Sequence, residues 1–201
     1  MADRTLVLAS GSTARLRLLR EAGFDPVVEV SGVSENGVDA DDTPSLVRAL
    51  AERKADAVTP RAGDAVVVAC DSLFEFESRV HGKPESLDEA RGWLRSMRGR
   101  RGTLFTGHCV IDGSSGRRAV GVAATEVCFA DTTDEEIEAY LSTGEALAAA
   151  GAFTLDGRSA PFVDGVEGDP SNVIGLSLPL LRGLLAELGI AVTDLWRESQ
   201  K

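Results

Sequence analysis

The chain has little histidine, few cysteines and no excess of positive charge, and each shortage removes a class of protein. Its two histidines and three cysteines, Cys70, Cys109 and Cys128, are scattered without a CxxC pair, so no zinc-type Cys/His cluster is present. The cysteines sit among apolar and β-type residues and are expected to be buried, reduced thiols. Asp and Glu outnumber Lys and Arg by 32 to 21, a formal net charge of −11. Without a basic footprint, neither a non-specific nucleic-acid binder nor a membrane-surface protein is expected. No apolar run approaches the ~20 residues of a membrane span, and no basic stretch followed by an apolar core opens the sequence, so the expected compartment is the cytoplasm. GxxxxGK[ST] and GxGxxG are both missing, which removes P-loop and dinucleotide-fingerprint readings. Internal repeats are absent as well.

What the chain does have is an ordinary globular composition, 43% apolar over 201 residues, enough for one domain or two closely packed lobes with an active cleft between them. Thr5 to Ala9 reads as a short strand and Thr13 to Ala22 as a helix stopped by Gly23. Pro26 to Val30 is a second strand candidate. A polar loop leads to a helix opened by Thr43-Pro44, with the hydroxyl at the cap, running to about Val58. Ala65 to Cys70 is almost wholly apolar and β-branched, as in a strand buried on both faces, with Asp71 at its exposed end. Phe74 to Val80 alternates like a hairpin arm, and Ser86 caps a helix to Met97. Gly102 to Asp112 and Arg118 to Phe129 read as long antiparallel strands. Thr132 or Thr133 caps a helix through Leu141, an irregular glycine-rich stretch follows to Gly175, and a leucine-rich helix from about Leu178 to Leu188 closes the pattern. The expected fold is α/β, a mixed twisted sheet flanked by helices.

Three places on this acidic chain suggest an anionic ligand. Ser10-Gly11-Ser12 joins a strand end to a helix start, where backbone donors and the helix dipole favour an anion, and Arg15 lies one turn inside. An ordinary serine cap with a solvated arginine explains the same residues. Asp71 stands at the carboxyl edge of a central strand, where open α/β sheets bind ligands; a turn-capping aspartate is the bland alternative. Asp71-Ser72-Leu73 also has the look of a GDSL esterase, but those need a histidine near the C-terminus, and His81 and His108 are the only two. Lys83, between Gly82 and Pro84, is backbone-constrained, and a fixed lysine serves a phosphate better than a mobile one. Lys54 and Glu35 are ambiguous taken alone, and Arg91, Arg95 and Arg98 read as a solvated helical face paired with Glu89 and its neighbours.

Taken in order, Leu8-Ala9-Ser10-Gly11-Ser12 with Arg15, Glu35, Leu50-Ala51 with Lys54-Ala55, Asp71, Gly82-Lys83-Pro84, Thr106-Gly107, Gly144-Glu145, Ala150-Gly151-Ala152-Phe153 and Glu167-Gly168 with Asn172-Val173-Ile174-Gly175-Leu176 resemble the Maf family of nucleoside triphosphate pyrophosphatases over nearly the whole chain. The resemblance implies a fold related to the inosine triphosphate pyrophosphatases, hydrolysis of a nucleoside triphosphate to monophosphate and pyrophosphate, a divalent cation and a homodimer. It implies that Asp71 accepts the proton of the attacking water or binds the metal, that Glu35 helps hold the metal, and that Ser10, Ser12, Arg15, Lys54 and Lys83 hold the triphosphate. Mg²⁺ or Mn²⁺ suits carboxylate and phosphate oxygens better than zinc does.

The sequence departs from the family where the base is read. Thr13-Ala14 replaces Pro-Arg or Pro-Trp, Ser72 stands where family members have threonine or glutamine, and Asp156 stands where they have glutamine or glutamate. A carboxylate accepts from guanine or cytosine amino groups but offers no donor to a thymine or uracil carbonyl, so strict thymidine and uridine preference is expected to be lost. Two other readings compete: a nucleotide-binding regulator of septum formation with little catalysis, and a phosphotransferase, for which no acceptor motif is seen.

Overall fold

The computed structural model describes residues 4–34 and 37–196. Its strands are β1 (Leu6–Leu8), β2 (Val27–Val28), β3 (Val66–Phe76), β4 (Arg79–His81), β5 (Arg101–Asp112), β6 (Arg118–Phe129) and β7 (Val163–Glu167). Its helices are α1 (Thr13–Glu21), α2 (Thr43–Ala62), α3 (Leu87–Met97), α4 (Asp134–Leu141), α5 (Pro170–Ile174) and α6 (Leu178–Glu187). The strands hydrogen-bond in the order β2-β1-β3-β5-β6-β7, with β4 against β3. β1 runs parallel to both β2 and β3, whereas β3–β4 and β6–β7 are antiparallel. The fold is therefore the expected mixed α/β type. No described helix is long and apolar enough to cross a membrane.

The chain divides into two compact units, the first drawing on the segments up to Asp71, from Thr106 to Ala123 and from Gly175 onward, the second on Ser72–Phe105 and Ala124–Ile174. In the first unit, alternation along the strands sends Val7, Ala9, Val67, Ala69, Cys109 and Ile111 to one face, where they meet Ala51, Ala55 and Val58 of α2. Leu6, Leu8, Val66 and Val68 are equally buried, which is why β1 and β3 read as continuous apolar runs rather than as alternating ones. Each such side chain contributes about 2 kcal/mol on burial. α2 departs from the sequence reading at both ends. Its cap is Asp42, whose carboxylate accepts the Ser45 N–H at 2.8 Å, and Thr43 is the first helical residue. The helix also continues past Val58 through Pro60 to Ala62.

The second unit is built on aromatic packing. Phe74, Phe129 and Phe153 meet edge to face at centroid distances of 5.7, 5.1 and 4.9 Å, the geometry that aligns positive ring edges with negative faces. Gly151 is required there: its φ is +70°, and a Cβ would lie 2.9 Å from both the Phe74 and Phe153 rings. Glu77 and Ser78, at φ 49° and 60°, turn β3 into β4 as a hairpin. Ser86 caps α3, and Thr133 caps α4 with Glu136 completing a capping box. The three arginines of α3 and its C-terminal end are not simply a solvated face. Arg91 pairs with Asp88 and with Glu138 of α4, while Arg95 and Arg98 converge on Asp134. Glu89 instead accepts the Glu85 N–H. The short edge strand β7 was hidden in the sequence because Asp164 and Gly165 interrupt its apolar pattern.

Candidate functional site

The first unit brings together five of the residues singled out from the sequence. Because β1 ends at Leu8, the chain turns at Ser10 and enters α1, whose cap is the Ser12 side chain accepting the Arg15 N–H at 3.3 Å. The Ser10 hydroxyl accepts twice, from the Ser12 N–H at 3.2 Å and from Arg15 Nη1 at 3.1 Å. Arg15 Nε donates to the Gly175 carbonyl at 2.7 Å. Gly175 has φ +118°, and a Cβ there would approach Arg15 Nε to 3.3 Å. The turn thus joins two hydroxyls, a helix N-terminus and an oriented guanidinium, a combination suited to an anion.

Asp71 and Lys54 form the second part. Lys54 Nζ donates to Asp71 Oδ1, with the two side chains 12% and 6% exposed. Asp71 does not stand at an exposed strand end as expected, because β3 continues to Phe76. It lies beyond the point where β1 has stopped pairing, since the register ends at Leu8↔Val68 with the Ala9 N–H on the Val68 carbonyl. Lys54 reaches this point because α2 packs closely on β5. A Cβ at Gly107 would sit 2.1 Å from the Val47 carbonyl oxygen, and Lys54 follows Val47 by two helical turns. Only a residue without a side chain permits that approach.

Cys70 is the buried neighbour that the two parts share. Burial pushes its thiol up to about 12, with Arg15 and Lys54 pulling it down and Asp71 pushing it further up. Arg15, Lys54 and Asp71 therefore all lie near one buried atom of β3, just past the carboxyl end of β1. Cys70 and Cys109 are the buried free thiols expected from the sequence, whereas Cys128 is partly exposed.

Ser72, Lys83 and Asp156 belong to the second unit. Lys83 is exposed between Gly82 and the buried Pro84, and the Gly82 carbonyl accepts the Gly151 N–H at 2.9 Å, so its turn is anchored beside the aromatic cluster. Asp156 accepts the Thr154 hydroxyl. Its loop is closed by the Ser159 hydroxyl, which bonds the Thr154 N–H and carbonyl, each at 2.9 Å, and by Glu145, which accepts the Arg158 N–H at 2.8 Å. Glu35 lies outside the described residues.

As for metals, the single cluster of three candidate ligands among the described residues is Glu126, Cys128 and Glu167. Arg101 Nη1 donates to both carboxylates, at 2.5 and 2.8 Å, so a guanidinium already supplies the positive charge. That set does not suit a hard cation. Asp71 offers the hard oxygen ligands that Mg²⁺ takes from one or two protein carboxylates, although here it too is paired, with Lys54.

Residues 5–188 match the family model described as Maf-like protein. A protein of Streptomyces coelicolor named nucleoside triphosphate pyrophosphatase is 54% identical over 199 residues, covering 98% of this chain and 97% of its own. Proteins of the same name from Streptomyces avermitilis and Gloeothece citriformis are 52% and 45% identical, covering 98% and 95% of this chain and 97% of their own lengths. The solved Ham1 protein of Staphylococcus aureus aligns at TM-score 0.37 and 18% identity, over 64% of this chain and 73% of that one, a level that adds nothing to the fold described above.

Proposed function

Because the chain belongs to the Maf family, we propose that it is a nucleoside triphosphate pyrophosphatase, adding water to the triphosphate and releasing nucleoside monophosphate and pyrophosphate. The observation that carries this reading is the nearly buried Lys54–Asp71 pair beside the serine turn organised by Arg15. Phosphoryl transfer asks a protein mainly for positioning and charge neutralisation, and this arrangement supplies both. On a chain of net charge −11, attraction of a polyanion has to be local. Arg15, the two serines and the N-terminus of α1 hold phosphate oxygens. Lys54 holds the Asp71 carboxylate in one orientation, and that carboxylate accepts the proton of the attacking water as the bond to the leaving pyrophosphate breaks.

Asp71, with Glu35, would hold a Mg²⁺ or Mn²⁺ ion, which when bound screens the phosphate charge. The assignments of Lys83 to the triphosphate and of Ser72 and Asp156 to the base rest on the family pattern. Asp156 favours bases carrying an amino group over thymine and uracil. A homodimer in the cytoplasm is part of the same proposal.

The test is product analysis over a panel of standard and modified nucleoside triphosphates with Mg²⁺ or Mn²⁺. Monophosphate plus pyrophosphate is expected, with turnover not confined to dTTP and UTP. Diphosphate plus orthophosphate would contradict the reaction, and binding without turnover would favour a regulatory role.

A further inference from the structure

We infer that His108, a residue that no part of the proposed chemistry uses, is a positioning residue that sets the Arg15 guanidinium through the backbone of residues 175–177; this rests on the reading that Arg15 holds the triphosphate. His108 lies on β5 and is fully buried. Its Nε2 accepts the Ser177 N–H at 2.8 Å, and its Nδ1 faces the Thr106 carbonyl at 3.0 Å. A backbone N–H can only donate and a carbonyl can only accept, so the ring is the neutral tautomer with its proton on Nδ1. Both nitrogens are committed, and the imidazole is a rigid spacer between β5 and the start of α6.

Ser177 is the cap of α6, its side chain accepting the Leu180 N–H at 3.2 Å. Two residues earlier, the Gly175 carbonyl accepts from Arg15 Nε at 2.7 Å. Gly175, Leu176 and Ser177 are all buried, so the segment has little freedom once its far end is pinned. Residues 107 and 109 point the other way along β5, with Cys109 packed among the α2 residues and Gly107 under Val47. Two consecutive residues of one strand therefore seat both cations: Gly107 admits the helix that carries Lys54, and His108 fixes the segment that aims Arg15.

Three substitutions separate this role from general stability. His108→Asn keeps a polar group near the Nδ1 position but cannot reach Ser177, whereas His108→Gln can present its amide oxygen near the Nε2 position. His108→Asn is expected to raise KM for the nucleoside triphosphate about tenfold, the effect of one buried bond lost, with kcat nearly unchanged. His108→Gln is expected to restore most of that loss. In an Arg15→Ala background, His108→Asn is expected to add nothing further, because its effect passes through Arg15. If Arg15→Ala raises KM but folded His108→Asn does not, or if the two effects simply multiply, the inference is overturned while the reading of Arg15 stands. Unchanged KM in Arg15→Ala alone overturns that reading and the inference with it. If His108→Asn does not fold, the milder His108→Gln carries the same comparison: a partial rise in KM that disappears in the Arg15→Ala background supports the relay, and an equal rise in both backgrounds contradicts it.

Discussion

Lys54 Nζ donates to Asp71 Oδ1 with both side chains withdrawn from solvent. The pair joins the middle of α2 to the segment of β3 that has outrun β1. Removing one partner leaves a charge with little water to solvate it. Losing half of a fully buried pair costs about 3–5 kcal/mol, and the partial exposure of Lys54 brings the expectation down to about 1–3 kcal/mol for Asp71→Leu or Lys54→Met.

The double variant Lys54→Met/Asp71→Leu should recover much of that stability in urea denaturation while remaining inactive. A double variant no more stable than either single one would mean that the two residues are not coupled.

Gly107 supplies a purely steric prediction. Gly107→Ala would place a methyl carbon 2.1 Å from the Val47 carbonyl oxygen, backbone that cannot rotate aside, so α2 must lift from β5. Overpacking of this kind costs about 1–3 kcal/mol, and Lys54 would move with the helix. Both the urea midpoint and turnover should fall. Full activity together with native stability would show that the close approach is unnecessary.

Asp112, at the end of β5, sets an acid limit on the first unit. Burial works to raise its pKa, but the hydroxyls of Ser114 and Ser115, the Ser114 N–H and the Arg4 guanidinium together hold it below the ordinary 3.8. A carboxyl depressed in the folded state contributes stability that is complete above its unfolded value and is lost as pH falls through its lower folded value. The melting temperature should therefore drop as pH goes below about 4, and Asp112→Asn should be less stable at neutral pH with a flatter acid limb. Parallel acid limbs in the two proteins would exclude Asp112 as a source of that dependence.

Much of the serine turn was legible because its signals are local. Ser12 caps α1 from the sequence position that a cap requires, and Arg15 follows one turn later. Lys54 was not legible alone, since what brings it inward is the missing side chain of Gly107, more than fifty positions along the chain. Asp71 was expected at the exposed end of its strand and instead lies within it, past the end of β1. The polar pair Asp71-Ser72 looks like a strand end, whereas the strand runs on to bury Phe74 and Phe76 in the second unit. Asp42 displaced Thr43 as the cap because either side chain suits the position and only the backbone decides between them. His108 carried no signal at all: a lone histidine in an apolar strand becomes meaningful only when the Ser177 N–H is found against it.

The central claim is that Asp71 accepts a proton during cleavage of the triphosphate. Its most direct test is the rate of pyrophosphate release by the wild-type protein and by Asp71→Asn, at saturating nucleotide with Mg²⁺ or Mn²⁺, after circular dichroism has shown both to be folded. The account predicts a loss of about 10²–10⁴-fold in kcat, the range a positioned general base supplies. Release at the wild-type rate from folded Asp71→Asn would contradict it.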